Sequence, residues 1–447
     1  MRSELKRTIQ IAIPLIIANL VQMIMGIIDS AMVGRISSDL LAASSLVNSV
    51  VMIPFVLGMG LTMAVAPLIA AGLSSEDPKL PTKILYNAVI ICGTFSVVIA
   101  LFIALFSGFL FSMGQDPIVA ALAKPYLQII GWSLIPMLLF LTIKQFADGM
   151  EMTKLPMLIS LYTIPVNIIL NYLLIYGKWG FPRMELEGAG IATLITRVIL
   201  FLAMAYLLIK SKKTAFYFAE WRAGFIPDKK VMRRILAIGI PSSLQHGMES
   251  WAFSISGIII GWLGATALAA HQIALSLASF TFMIALGISG AGAIRIGLNY
   301  GRGDWEKVDT IGKGIYFLAF TMGILGALAF IFLKVPLIGI FNKEQEVFYL
   351  AGILLLYAAI FQISDAVQAI AIGLLRGLQD VKVPTFFIGI AYWVIGIPSG
   401  YFLAFHMNMG AEGIWIGLVM GLSVNAFLLS LRFFRIVKRK TQGNQIL

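Results

Sequence analysis

Cysteine, histidine and charge are scarce in this sequence, and each scarcity excludes something. The single cysteine, Cys92, sits inside an apolar run, so an intramolecular disulfide and a thiolate metal site are both ruled out. The three histidines, His246, His271 and His406, stand far apart with no carboxylate at metal-ligand spacing, which argues against a metal enzyme. No Gly-x4-Gly-Lys-Ser/Thr phosphate loop is present, so nucleotide hydrolysis by this chain is not expected. Charged residues are only 12% of the 447 and hydrophobic ones 60%, whereas soluble domains carry about 25% charge. A water-soluble globule is excluded. The 10-residue alternation of a membrane β-barrel is missing too.

What the sequence does have is long apolar runs. Twelve are placed at about 8–33, 44–70, 86–112, 122–146, 155–177, 187–210, 233–260, 268–298, 311–333, 347–374, 383–406 and 410–433, each close to the roughly 20 residues that span a bilayer. The expected fold class is an all-α polytopic membrane protein. Met1 to Arg7 and the run after them lack a small-residue cleavage site, so this run reads as a retained first span.

The net charge of +12 is unevenly placed. Segments on the side of the N-terminus hold 26 of the 33 Lys and Arg, including the tail Arg432, Arg435, Lys438, Arg439 and Lys440, while the opposite side holds six. By the positive-inside rule both termini are expected in the cytoplasm, in the plasma membrane. The basic balance is therefore a topology signal, and no nucleic-acid partner is expected.

The chain also repeats itself. A shift of 227 aligns 7–72 with 234–299 without a gap at fifteen identities in 66 positions, among them Pro14 with Pro241, Gly34 with Gly261, Leu41-Ala42-Ala43 with Leu268-Ala269-Ala270, and Gly60 with Gly287. A shift of 228 pairs Gly149-x4-Lys154-x-Pro156 with Gly377-x4-Lys382-x-Pro384. An even number of spans per repeat returns the chain to the same side, so two parallel, pseudo-symmetric six-helix bundles are predicted. The expected domains are 1–210, a cytoplasmic linker 211–232, and 233–447 with its basic tail. Such paired bundles usually carry a substrate between them by rocking, driven here by an ion gradient because no nucleotide site exists.

A carboxylate at mid-helix costs about 2.5–3.5 kcal/mol on insertion scales, so intramembrane acids mark function by default. Asp29, Glu249 and Asp365 qualify, whereas Asp148, Glu151, Glu187 and Glu412 lie near run ends where solvation or snorkelling is cheap. Glu249 and Asp365 are candidates for a cation site, with Na+ or an exchangeable proton as the bound species. The alternative is a buried acid paired with a neighbouring Lys or hydroxyl. Asn167 and Asn171 are i and i+4, hence on one helix face, and are read either as cavity-lining amides or as helix-to-helix glue. Arg197, one turn past Thr193, is a candidate salt-bridge partner for Asp29. Phe361, Trp251 and Phe253 neighbour the acids and are the candidate substrate contacts, because aromatic faces suit organic cations. Pro14, Pro54, Pro136, Pro165, Pro241 and Pro398 are candidate kinks.

The segments Ile28-Asp29-Ser30-Ala31-Met32-Val33-Gly34-Arg35, Leu41-Ala42-Ala43, Ala269-Ala270-His271-Gln272-Ile273-Ala274-Leu275, Asn167-Ile168-Ile169-Leu170-Asn171-Tyr172, Leu375-Arg376-Gly377-Leu378-Gln379-Asp380, and Pro384 through Tyr392-Trp393, in this order, resemble the MATE (multidrug and toxic compound extrusion) transporters across essentially the whole chain. The resemblance implies a V-shaped pair of six-helix lobes that exports cationic amphiphilic small molecules against entry of Na+ or H+, with no cofactor. Glu249 eight residues after Pro241, and Asp365 eleven before Arg376-Gly377, are placed as in the NorM-type branch, where both acids contribute to cation coupling. That branch often has a Tyr four residues before the second acid, and here that position is Phe361. For the N-terminal lobe the family suggests a second site of Asp29, Asn167, Asn171 and Thr193. A monomer surrounded by membrane lipid is expected. A lipid-linked sugar flippase of the wider superfamily is the alternative, and it would require a more basic cavity than these acids leave.

Overall fold

The computed structural model describes residues 2–75, 77–112, 114–219 and 226–444, so 220–225 of the expected linker lie outside the described residues. The helices in chain order are α1 (Arg2–Gly34), α2 (Ser38–Thr62), α3 (Val65–Gly72), α4 (Leu80–Phe106), α5 (Pro117–Gly149), α6 (Lys154–Tyr176), α7 (Glu185–Lys210), α8 (Ala215–Ala219), α9 (Lys229–Gly261), α10 (Ala265–Gly301), α11 (Trp305–Phe332), α12 (Lys334–Gly339), α13 (Gln345–Gly377), α14 (Lys382–Gly389), α15 (Ile397–Phe405) and α16 (Gly410–Asn444). A 3-10 stretch Ser107–Ser112 extends α4, and a π-helical stretch Ile390–Gly396 joins α14 to α15. Among the described residues no strand is present.

Eleven of the helical runs are long and apolar enough to cross a bilayer. The twelfth long helix, α9, has 33 residues but falls short in apolarity. Its middle carries Ser242, Ser243, Gln245, His246, Glu249 and Ser250, polar groups that need protein partners to lie at membrane depth. Its length would suffice for a span, and its polar side chains mark where it differs from the other eleven.

Helix ends reproduce the repeat. Helices α1 and α9 start at residues 2 and 229, and α5 and α13 run 117–149 and 345–377. The correspondence reaches individual atoms. A Cβ on Gly149 would lie 2.7 Å from the Ala66 carbonyl oxygen and 2.8 Å from Ile69 Cβ. On Gly377 it would lie 2.8 Å from both the Ala293 carbonyl oxygen and Ile296 Cβ, the residues 227 further on. Within lipid, helices gain little from hydrophobicity and associate by such close backbone approach at small residues.

By its contacts the chain forms two compact units, Ile17–Ser243 and Met1–Ile16 with Leu244–Leu447. The division therefore falls inside α1 and α9, not in the linker, so the covalent repeat and the packing unit are different things. In the second unit, Gly287 of α10 lies against the backbone of Ile16, where a Cβ would come within 2.8 Å of its nitrogen. Arg295 holds the start of α1 by hydrogen bonds to the Thr8 hydroxyl at 2.6 Å and the Glu4 carbonyl at 2.5 Å, plus an ion pair with the Glu4 carboxylate. In the first unit, Gly60 packs on the backbone of Ser243, whose hydroxyl donates to the Leu57 carbonyl at 2.6 Å.

Proline acts selectively. The helices continue through Pro14, Pro54, Pro136, Pro165 and Pro241. The break between α2 and α3 instead falls four residues before Pro67, where the missing N–H and the ring disturb the carbonyl of Met63. In the other half Ile294 takes that place and α10 runs unbroken for 37 residues.

Candidate functional site

In the unit Ile17–Ser243 the polar cluster gathers from three helices. Asp29 of α1 accepts a hydrogen bond from Asn171 Nδ2 of α6 at 2.6 Å, and Thr193 Oγ1 of α7 donates to its second oxygen at 3.5 Å. Asn171 Nδ2 also reaches Asn167 Oδ1 at 3.3 Å, one helical turn away. Both asparagines are buried, yet Asn167 Nδ2 and Asn171 Oδ1 have no hydrogen-bond partner. Orphaned buried amide atoms are costly unless something else satisfies them. All four sequence candidates of this lobe are thus brought together. Arg197 lies within electrostatic reach of Asp29, but its Nη1 donates to Ser133 Oγ at 2.6 Å and it makes no direct ion pair with Asp29 among the described residues. The salt bridge considered from the sequence is not made.

The second cluster lies in the unit containing Leu244–Leu447. Glu249 of α9 is 7% exposed and Asp365 of α13 is 3% exposed, so both carboxylates are withdrawn from water. Gln368, one turn beyond Asp365, donates from Nε2 to Glu249 Oε1, and its own Oε1 accepts from Asn425 Nδ2 of α16. Tyr392 donates its hydroxyl to Glu249 Oε1 at 3.3 Å. Tyr392 sits within the π-helical stretch, whose widened turn precedes Pro398; π-bulges of this kind are frequent at functional sites. Asn425 Oδ1 is buried without a partner. On the same two helices, Arg376 Nη2 meets His246 Nε2 at 3.3 Å, both side chains buried.

Two like-charged carboxylates out of water repel each other, and a cation or a proton relieves that repulsion. The donor set is all oxygen: two carboxylates, a phenol hydroxyl and the orphaned Asn425 carbonyl, which suits a hard cation such as Na+. Among the described residues no group of three or more His, Cys, Asp or Glu is placed to hold a metal.

Of the aromatic candidates, Phe253 and Phe361 meet at a ring distance of 5.8 Å, and Phe253 lies 6.1 Å from Tyr392. Phe361 also packs edge-on against Trp415 at 5.8 Å. Trp251 is half-buried and joins the acids by no hydrogen bond or ring contact among the described residues. Sequence reasoning missed Gln368, Tyr392 and Asn425. Gln368 was visible as a polar residue at i+3 from Asp365, and Asn425 as the lone amide of an apolar run; Tyr392 carried no signal of its own, because a π-turn directs it. Asp148 departs from its reading as a solvated end residue: it is buried and paired with buried Lys144 at 2.9 Å. Glu412 accepts from the Tyr357 hydroxyl at 2.8 Å.

Comparisons with known proteins bear on the whole chain. The model of the MatE family matches residues 14–173 and again 241–402, once in each repeat. The chain is 33% identical to "Probable multidrug resistance protein NorM" of Rhizobium meliloti (strain 1021), over 98% of this chain and 94% of that one. It is 36% identical to a protein of the same name from Rhodopseudomonas palustris, over 98% and 93%. "Multidrug resistance protein MdtK" of Edwardsiella ictaluri is 31% identical over 96% and 95%. Among solved structures, a eukaryotic MATE transporter superposes with a TM-score of 0.88 at 20% identity over 99% of both chains. A MATE protein in the straight conformation gives 0.89 at 22% over 98% and 97%. These folds have twelve membrane helices, which agrees with the twelve long runs found here.

Proposed function

This chain belongs to the MatE family, and on that footing we propose that it is a secondary active multidrug efflux antiporter, exporting organic cations in exchange for Na+ or H+ by alternating access. The observation that carries the reading is the pair Glu249 and Asp365, two carboxylates nearly sealed from water, of which Glu249 is held by an amide and a phenol group instead of a carboxylate–lysine bridge. Such an arrangement is costly in a membrane unless it binds and releases positive charge.

The residues divide the work. Glu249 and Asp365 take the incoming cation; Gln368, clamped by Asn425, fixes the Glu249 carboxylate; Tyr392 adds a hydroxyl that can turn toward the ion. Asp29 with Asn167, Asn171 and Thr193 forms a second cation site in the other unit. Aromatic faces at Phe253 and Phe361 receive the organic cation. Ion and drug drive the cycle only if each binds the two conformations with different affinity. No covalent bond changes in this cycle, so the proposal is of a transporter and not an enzyme, and it calls for no cofactor. The excess of Lys and Arg beside the termini supports a plasma-membrane orientation with both ends cytoplasmic.

The test is transport by the purified protein in liposomes, with Na+ and pH gradients imposed separately. Wild-type protein is expected to move a fluorescent organic cation under one gradient, and Glu249→Gln and Asp365→Asn are expected to stop it. Wild-type rates in both variants would overturn the reading.

A further inference from the structure

Helix α16 changes character along its length. Residues 413–431 carry no Asp, Glu, Lys or Arg, and at about 1.5 Å per residue they rise about 28 Å, close to the roughly 30 Å of a bilayer's hydrocarbon. Arg432 therefore stands at the edge of the hydrocarbon, with Arg435, Lys438, Arg439 and Lys440 beyond it. A cavity of about 220 Å³ opens there between α14 and α16, smaller than the roughly 300–1,000 Å³ of drug-sized sites and of a size for a headgroup. Its walls on α16 include Leu428, Arg432, Arg435, Ile436 and Arg439, spaced so that all five share one helix face. Phe387 supplies the wall from α14.

The three guanidinium groups are not equivalent. Arg432 is half-buried and held in place by Asp380, which accepts from its Nε at 2.5 Å and from its Nη2 at 3.0 Å. This two-point grip fixes the plane of the guanidinium and leaves its remaining N–H groups to a second acceptor. Arg435 and Arg439 are exposed, and among the described residues neither makes a hydrogen bond or an ion pair. Three arginines against one aspartate leave a surplus of two positive charges at the cavity. The repeated scaffold does not require them. At the offset of 225 that relates Gly413 to Gly188, the arginines correspond to Leu207, Lys210 and Thr214, and at 228 Asp380 corresponds to Met152.

We propose that this cavity binds the headgroup phosphate of an anionic phospholipid, one without a compensating amine. Arg435 and Arg439 hold the phosphate, Arg432 is aimed at it by Asp380, and the acyl chains lie along Leu428 and Phe387. Charge complementarity names the occupant, because unpaired guanidinium groups at the level of the lipid headgroups match phosphate oxygens, and basic pockets between membrane helices select anionic heads. A free phosphate ion would leave Leu428, Ile436 and Phe387 bare, whereas a lipid covers them. The site shares no residue with either cation cluster, so it stands apart from the export reading.

The experiment is native mass spectrometry of the purified full chain in detergent at low ionic strength, titrated with phosphatidylglycerol, phosphatidylcholine or inorganic phosphate, alongside thermal unfolding in the same mixtures. Wild type is expected to bind one phosphatidylglycerol at least about tenfold more tightly than phosphatidylcholine, and to show a higher Tm with the former. Arg435→Gln combined with Arg439→Gln is expected to lose that preference; both side chains are exposed and hold no other described residue, so the fold should survive. Lys438→Gln combined with Lys440→Gln removes as much charge from the same end of α16 but outside the cavity lining, and is expected to keep the preference. Equal loss in the arginine and lysine variants overturns the pocket, since it makes the attraction a general property of the basic tail. Equal affinity of wild type for the two lipids overturns it as well. Displacement of phosphatidylglycerol by millimolar inorganic phosphate assigns the site to a free anion and overturns the lipid. None of these readouts involves transport, so failure here leaves the export reading untouched.

Discussion

The two halves keep the same scaffold and put their chemistry in different places. The glycine contacts of α5 and α13 match atom for atom, and those of α7 and α16 match in closeness, a Cβ on Gly188 lying 2.5 Å from the Leu174 carbonyl oxygen and one on Gly413 2.5 Å from the Ala404 nitrogen. The acids do not match. At the repeat offsets, Asp29 corresponds to Ser256, Glu249 to Gln22 and Asp365 to Met137. Gln368 and Tyr392 correspond to Phe140 and Ile164, and Asn425 to Leu200 at the offset of 225 that relates Gly413 to Gly188. Close packing of helices tolerates little change, since a methyl group in the wrong place displaces a backbone. Polar residues on a cavity-facing turn are freer to move between halves. What results is a site with one acid that is partly exposed, and a sealed one with two.

If burial of two like charges is what makes the second site the coupling centre, removing one of them should do most damage. Asp365→Asn and Glu249→Gln are each expected to reduce ion-coupled export of a fluorescent cation at least tenfold, while Asp29→Asn lowers it several-fold, read as initial rates in liposomes. An equal effect at all three acids would break the contrast between the sites.

The shared scaffold should fail equally in both halves. Gly149→Ala and Gly377→Ala each force a methyl group to about 2.7–2.8 Å from a carbonyl oxygen, and each is expected to cost about 1–3 kcal/mol. Thermal unfolding in detergent should show matched drops in Tm. A much larger drop in one would mean that its unit packs less forgivingly.

The clamps are expected to matter less. Asn425→Leu frees Gln368 and leaves a buried amide oxygen unpaired, at about 1–3 kcal/mol, seen mainly as a higher KM for the coupling ion. Tyr392→Phe removes a hydrogen bond of 3.3 Å and should raise that KM only a few-fold.

The smallest effect lies outside the membrane, at the start of α11. Asp304 caps this helix by accepting from the Lys307 N–H at 3.1 Å. The Lys307 side chain first, then its backbone N–H, hold the carboxyl below its ordinary value. A lowered folded-state value means that the cap is fully stabilising above the usual carboxylate range and is lost as pH falls through the depressed one. Asp304→Ala is expected to cost about 1 kcal/mol at neutral pH, with the difference from wild type vanishing in acid, by unfolding curves at several pH values.

Much of this was legible in the sequence, for identifiable reasons. Apolar runs of bilayer length report spans directly, and paired Pro and Gly report the repeat because packing holds them in place. Asp29, Asn167, Asn171 and Thr193 are drawn together as expected, since i and i+4 amides must share a face. Trp251 is not drawn to the acids, because nearness along a helix says nothing about which side a ring takes. Tyr392 was illegible because a π-turn rotates its face, and the exchange of α1 and α9 between units was illegible because periodicity describes a helix and not its neighbours.

That exchange has a consequence for how the protein is made. Residues 2–16 are made well before Gly287 and Arg295, which they pack against and which follow roughly 270 residues later, about 15–50 s at ordinary rates of synthesis. That helix half enters the membrane long before the residues it packs against, and it must wait there in lipid without them. The unit that begins at Ile17 can close as soon as Ser243 is inserted. Only residues 2–16 then assemble out of chain order.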